Sequence, residues 1–214
     1  MKKHQSGFTL IELAIVLVII GLLLGGVLKG QELIYSAKVK NMAADFKNTQ
    51  VYIYGYQDKY KALPGDDKSA STHLTGGTNA SNGTLGNGVI EGEWNSTTAT
   101  HESALFWQHV RLAGLAAGPT STGDANYYPT NADGGRIGVQ SVSGFTKITT
   151  MTGTFVVCSD AILGRFAKQL DTTLDDGETS TGSVRAVLSA TATGAGLTTA
   201  NVSDSSSYTV CLAF

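Results

Sequence analysis

The sequence predicts an α+β fold: one long N-terminal helix whose outer half packs against an antiparallel β-sheet of about four strands. Three observations predict it. A run from Phe8 to Leu28 is apolar with a single charge, Glu12. Beyond it, Met42, Phe46, Ile53, Tyr56 and Tyr60 recur at spacings of three, four or seven, the stripe of an amphipathic helix. The last third of the chain holds short β-prone runs parted by Gly-containing turns.

The apolar run comes first in the chain and sets its context. About 21 residues at ~1.5 Å each make a helix of roughly 32 Å, enough to cross the hydrocarbon layer of a bilayer. A carboxylate within such a layer costs on the order of 2.5–3.5 kcal/mol at its centre, so Glu12 needs a partner. Glu12 lies four residues after Phe8, one turn along the same face. A cut between Gly7 and Phe8 would create an α-amine beside that carboxylate, within one chain or between stacked chains. Two simpler readings stay open. A cleaved secretory signal would have a shorter apolar core and a small-x-small cut site, for which Gly25-Gly26 is a poor match. A plain membrane anchor fits the length but leaves Gly7, Phe8 and Glu12 unexplained.

Gly7-Phe8-Thr9-Leu10-Ile11-Glu12-Leu13 resembles the processing and assembly motif of type IV prepilins and of the pseudopilins of type II secretion. The resemblance implies a pilin-like fold, cleavage after Gly7 by a membrane prepilin peptidase, and N-methylation of Phe8. It also implies that Glu12 directs assembly into a helical filament with self or other pilins, at an inner-membrane assembly platform. The division that follows is a leader over 1–7, a membrane and filament-core helix over 8–28, its amphipathic half over 29–61 and a globular head over 62–214. Lys2 and Lys3 ahead of the apolar run place the leader on the cytoplasmic side and the head in the periplasm. The mature subunit then belongs to an extracellular pilus or a periplasmic pseudopilus.

Gly21, Gly25, Gly26 and Gly30 interrupt the first helix, each at about 1 kcal/mol relative to Ala. Close packing in a membrane and softening of the stalk on assembly are both open. Leu63-Pro64-Gly65 ends the helix near Lys61. Residues 69–100, rich in Ser, Thr, Gly and Asn, read as a long exposed connection. Within it, Asn87, Glu91 and Glu93 are weak calcium candidates that lack the Asp-rich spacing of an EF-hand. His101 to Leu115 returns to helical spacing, with Thr100 as a possible cap.

Three runs, Arg136 to Val142, Phe145 to Met151 and Thr154 to Cys158, read as an antiparallel meander. Ser159 is placed to cap a helix from Asp160 to Leu170, and Asp175-Asp176-Gly177 to form a tight turn. Ser183 to Ser189 and Tyr208 to Ala213 read as late strands. Cys158 and Cys211, an even pair outside the cytoplasm, are expected to form one disulfide, worth about 4 kcal/mol at most on the chain-entropy model. The stretch from Leu170-Asp171 to Val184-Arg185-Ala186, with Leu63-Pro64-Gly65-Asp66, resembles the head of larger bacterial prepilin-like proteins, and the cysteines resemble the disulfide-bounded region of type IVa pilins, an exposed part of the filament surface.

The 214 residues carry a formal charge of −2, which becomes −4 when Lys2 and Lys3 leave with the leader. Such a balance does not advertise general nucleic-acid binding; DNA binding by a competence-type pilin would need a local basic patch. No nucleophile elbow or phosphate loop occurs, and His73, His101 and His109 sit in no triad or metal spacing. An enzyme is not expected, and no cofactor is called for. A pilus subunit is the first reading, with a type II secretion pseudopilin driving protein export or a competence pilin binding DNA as the alternatives.

Overall fold

The computed structural model describes residues 9–214; the predicted cleavage and methylation positions Gly7 and Phe8 lie outside the described residues. Helix α1 runs from Leu10 to Tyr60. The chain divides into two compact units, one ending at Lys38 and one from Val39 to Phe214. The second contains the outer part of α1, the short α2 (Ala70–His73), α3 (Glu102–Leu112), α4 (Gly164–Leu174) and four strands. These are β1 (Ile137–Ser141), β2 (Phe155–Leu163), β3 (Val184–Leu188) and β4 (Ser207–Ala213). They form one antiparallel sheet in the order β1-β2-β4-β3.

Why α1 docks on this sheet is visible in its stripe. Met42, Phe46, Ile53 and Tyr56 are at most 1% exposed, with Val39, Ala43 and Thr49 buried between them. Tyr60 is half-buried and tilts its ring on Tyr56, with centroids 4.7 Å apart. The helix ends as Lys61 takes the left-handed region at φ 54°. Gly65 follows at φ 94°, packed so closely on α3 that a Cβ there would lie 2.4 Å from the Glu102 carbonyl oxygen.

The alternation of β-strands gives the sheet two buried faces. Val156 and Cys158 of β2, Cys211 and Ala213 of β4 and Val187 of β3 form one, under Trp94, Ile148 and Met151. Cys158 and Cys211 are directly opposed across β2 and β4 and bonded, both fully buried. The disulfide thus staples neighbouring central strands inside the core.

Several elements differ from the sequence reading. Phe145 to Met151 is not a strand. Its apolar residues Phe145, Ile148 and Met151 are spaced by three, and they lie over the disulfide face instead of alternating across it. β1 therefore pairs directly with β2, and the expected meander is absent. The helix expected from Asp160 begins four residues later, because β2 continues across a bulge, with Ala161 at φ 54°. Asp160 is a fastener there: its Oδ1 accepts the hydroxyls of Ser189 and Thr209 at 2.6 and 2.7 Å. His101, not Thr100, occupies the N-cap of α3, without a side-chain cap bond, and the helix stops at Leu112. The connection over 69–100 is exposed in part only, since Leu74, Ala80, Ile90 and Trp94 are buried.

Gly65→Ala is expected to lower stability by more than about 1 kcal/mol, since both φ and the close approach oppose a side chain. Gly76→Ala, with φ 82° but open space around it, should cost less. Denaturant midpoints of the two variants check the order.

Candidate functional site

The start of α1 is built by its own first turn. The Thr9 amide and hydroxyl both donate to Glu12 Oε2, at 2.8 and 2.7 Å, and the Glu12 amide donates to Thr9 Oγ1 at 3.3 Å. This is a capping box, Thr-x-x-Glu, which satisfies donors that a helix start otherwise leaves open. The spacing was legible in the sequence, yet the sequence reading assigned Glu12 to the Phe8 amine alone.

Past that cap, every residue from Leu10 to Leu28 is exposed. Leu10 is 89% exposed and Leu22 73%. Gly21, Gly25, Gly26 and Gly30 have nothing within 4 Å of where a Cβ would stand, so no packing inside this chain accounts for them. Among the described residues the first ion pair, Lys29 with Glu32 at 2.6 Å, comes only after the apolar run. A bare apolar surface of this extent is at home in lipid or against other protein, not in water. α1 is long and apolar enough to cross a membrane.

The head carries a second polar constellation, around a cavity of about 530 Å³ lined in part by Tyr60, Lys68, His73, Gly86 and Gly88. Buried Asp67 accepts His73 Nδ1 at 2.7 Å, the Tyr56 hydroxyl at 2.8 Å and the Ser69 amide at 2.8 Å. These bonds outweigh burial and hold its carboxyl below the usual range. Burial, with Asp67 as partner, pushes the Tyr56 phenol up. His73 also stacks on Tyr60 at 5.4 Å. An Asp–His pair invites comparison with a catalytic dyad, but Ser69 engages Asp67 through its amide, not its hydroxyl. His109 is fully buried. Its Nδ1 accepts the Gly65 amide and its Nε2 bonds the Thr78 carbonyl, so the ring is a neutral brace between loops. Burial pushes its pKa down.

The side chains of Asn87 and Glu91 are used within the chain, and Glu93 is bonded through its backbone. Asn87 Oδ1 accepts the Val89 amide, Glu91 Oε2 the Thr84 amide, and the Glu93 carbonyl the Ser103 hydroxyl. Among the described residues, no group of three or more His, Cys, Asp or Glu side chains is placed to hold a metal ion. The sequence reading missed Asp66, Asp67 and Glu102. A buried role for a carboxylate in a Pro-Gly turn has no periodic signature.

A membrane-length apolar helix with a capped acidic start, continuing into a helix docked on a four-stranded antiparallel sheet, defines a pilin-like α+β protein. The prokaryotic N-terminal methylation motif matches residues 2–28, which supports a protein of the type IV pilin or pseudopilin kind, a structural and non-catalytic class. No curated protein and no solved structure matches the chain.

Asp171 is fully buried in the last turn of α4, its Oδ1 accepting the Gly177 amide and its Oδ2 unbonded. Burial, with Asp176, Asp175 and Glu178 nearby, pushes its carboxyl up to about 6. The folded state therefore holds this proton more tightly than the unfolded chain, and the stability it contributes in acid is lost as pH rises from about 4 through about 6. Asp171→Asn should flatten that part of the stability–pH profile and raise the melting temperature at neutral pH, as thermal denaturation across pH would show.

Proposed function

We propose that this chain is a structural subunit of a type IV pilus-like filament, processed at Gly7–Phe8 and assembled through α1. The observation that carries the proposal is the uncovered apolar surface from Leu10 to Leu28, headed by one carboxylate. In the inner membrane lipid covers that surface. In a filament the helices of neighbouring subunits cover it. Transfer from lipid to protein gains little from hydrophobicity, because both surroundings are apolar, so packing and charge pairing supply the direction.

Glu12 gives the register. In the single chain its carboxylate is held by Thr9. An incoming N-methylated amine of Phe8 from a neighbouring subunit adds a charged donor to a carboxylate that has one oxygen already engaged. A charge-assisted bond of this kind is stronger than a neutral one, and more so where water is excluded. The four open glycines let neighbouring helices approach closely, which serves the same packing.

Glu12→Ala is expected to leave leader removal intact and to abolish or strongly reduce incorporation into sheared filaments. Mass spectrometry of the filament fraction, with immunoblotting of the membrane fraction, measures both; wild-type incorporation would refute the assembly role. A bulky residue at Gly7 should leave the leader attached, and N-terminal sequencing of the membrane-bound chain reads that directly.

A further inference from the structure

The cavity of about 530 Å³ beside Asp67 and His73 falls in the size range of small-molecule sites, roughly 300–1,000 Å³. Every residue that lines it belongs to the unit from Val39 to Phe214. Two buried carboxylates build it. Asp66, 2% exposed, accepts the amides of Gly86 and Asn87 at Oδ1 and of Gly88 at Oδ2, which fixes Gly86 and Gly88 as one wall. Asp67, 1% exposed, accepts the Ser69 amide at Oδ1, and the Tyr56 hydroxyl and His73 Nδ1 at Oδ2. All four carboxylate oxygens are thus engaged inside the chain.

The groups left to the cavity are mainly donors. Lys61, Lys68, Ser69 and Thr154 line it. Among the described residues, the Lys68 ammonium and the Ser69 and Thr154 hydroxyls have no bonded partner, and the Lys61 ammonium meets the exposed Asp58 at 3.1 Å. His73 is fixed in place although its side chain is 34% exposed. Asp67 holds Nδ1 at 2.7 Å and the ring stacks on Tyr60 at 5.4 Å, which leaves Nε2 as the unbonded polar atom of the ring. Immobilising an accessible side chain costs conformational entropy, and a carboxylate that fixes one ring nitrogen sets what the other can do. Such a ring is oriented before any ligand arrives.

We propose that this cavity binds an acidic saccharide. The Lys61 and Lys68 ammoniums take its carboxylate, and His73 Nε2 with the Ser69 and Thr154 hydroxyls takes its ring hydroxyls. With every oxygen of Asp66 and Asp67 engaged, a metal ion finds no carboxylate ligand there. Two ammoniums favour a carboxylate through charge-assisted bonds that a neutral sugar cannot make. Sugar hydroxyls both donate and accept, so they suit hydroxyl side chains and a histidine nitrogen in either protonation state. Leu63 and Phe155, also in the lining, offer apolar surface to the C–H face of a sugar ring. Inorganic phosphate would satisfy the ammoniums and leave most of the cavity unfilled. No residue before Gln57 takes part, so binding does not depend on the assembly of α1.

Isothermal titration of the full-length chain in detergent micelles tests this, with digalacturonate and glucuronate as ligands and glucose and inorganic phosphate as controls. At least one acidic saccharide is expected to bind with a Kd below about 1 mM, and both controls at least about ten-fold more weakly. Lys68→Gln, at an exposed position, should keep the melting temperature and lower the affinity at least about ten-fold, through loss of a charge-assisted bond. In NMR spectra the His73 ring resonances should shift on addition of the acidic saccharide and not of glucose. Absence of binding by both acidic saccharides overturns the proposal. So does glucose or phosphate binding equally well, a Lys68→Gln affinity equal to wild type, or a His73 ring that does not respond.

Discussion

The stretch of α1 from Leu10 to Leu28 is covered by nothing within its own chain. The hydrophobic effect opposes leaving that surface in water, so a membrane or other protein has to receive it. Much of the rest of the molecule can be understood as accommodation to this one demand. The same helix turns amphipathic where the head begins, so that Met42, Phe46, Ile53 and Tyr56 satisfy inside the chain what the earlier residues leave to outside partners.

The head meets a different constraint. Its connections are long and polar, and a polar connection buried against a core needs its backbone groups bonded. Carboxylates do much of this. Asp66 takes three amides from one turn, Asp160 takes two hydroxyls across the sheet, and Asp175 takes the amides of Ser183 and Val184. Asp66 among them is buried, as are Glu102 and Asp171, and their buried carboxyls tie the stability of the head to pH more closely than its net charge suggests. The sheet edges are handled in the same manner. The Ser141 amide of β1 bonds the Ile90 carbonyl, and Ala186 of β3 bonds both Thr179 and Leu197. Loops cap what would otherwise be open strand edges.

The two features of Glu12 belong together. As the last residue of the Thr9–Glu12 capping box it completes the start of α1 in a single chain, and as the sole acid in an apolar surface it is available to a cation from another. A helix start needs a capping partner in any setting, whereas pairing with a neighbour's amine belongs only to the proposed assembly. One carboxylate can meet both needs because it has two oxygens, and only Oε2 is taken by Thr9.

The sequence by itself determined the helix, its apolar and amphipathic halves, its acidic start and the late strands. Each of these is a local matter, since apolar periodicity and length report directly on the surroundings a segment needs. The cysteine pairing followed from their being an even pair outside the cytoplasm. What tertiary structure decided was non-local. The last strand, β4, lies between β2 and β3, Phe145 to Met151 covers a face of the sheet in place of joining it, and β2 runs on through Asp160 because Ser189 and Thr209 offer that carboxylate hydroxyls. The burial of Asp66, Asp67, Glu102 and Asp171 could not be read in advance for the same reason. A carboxylate reads as surface along the chain, and only partners distant in sequence, arriving as amides and hydroxyls, make its burial tolerable.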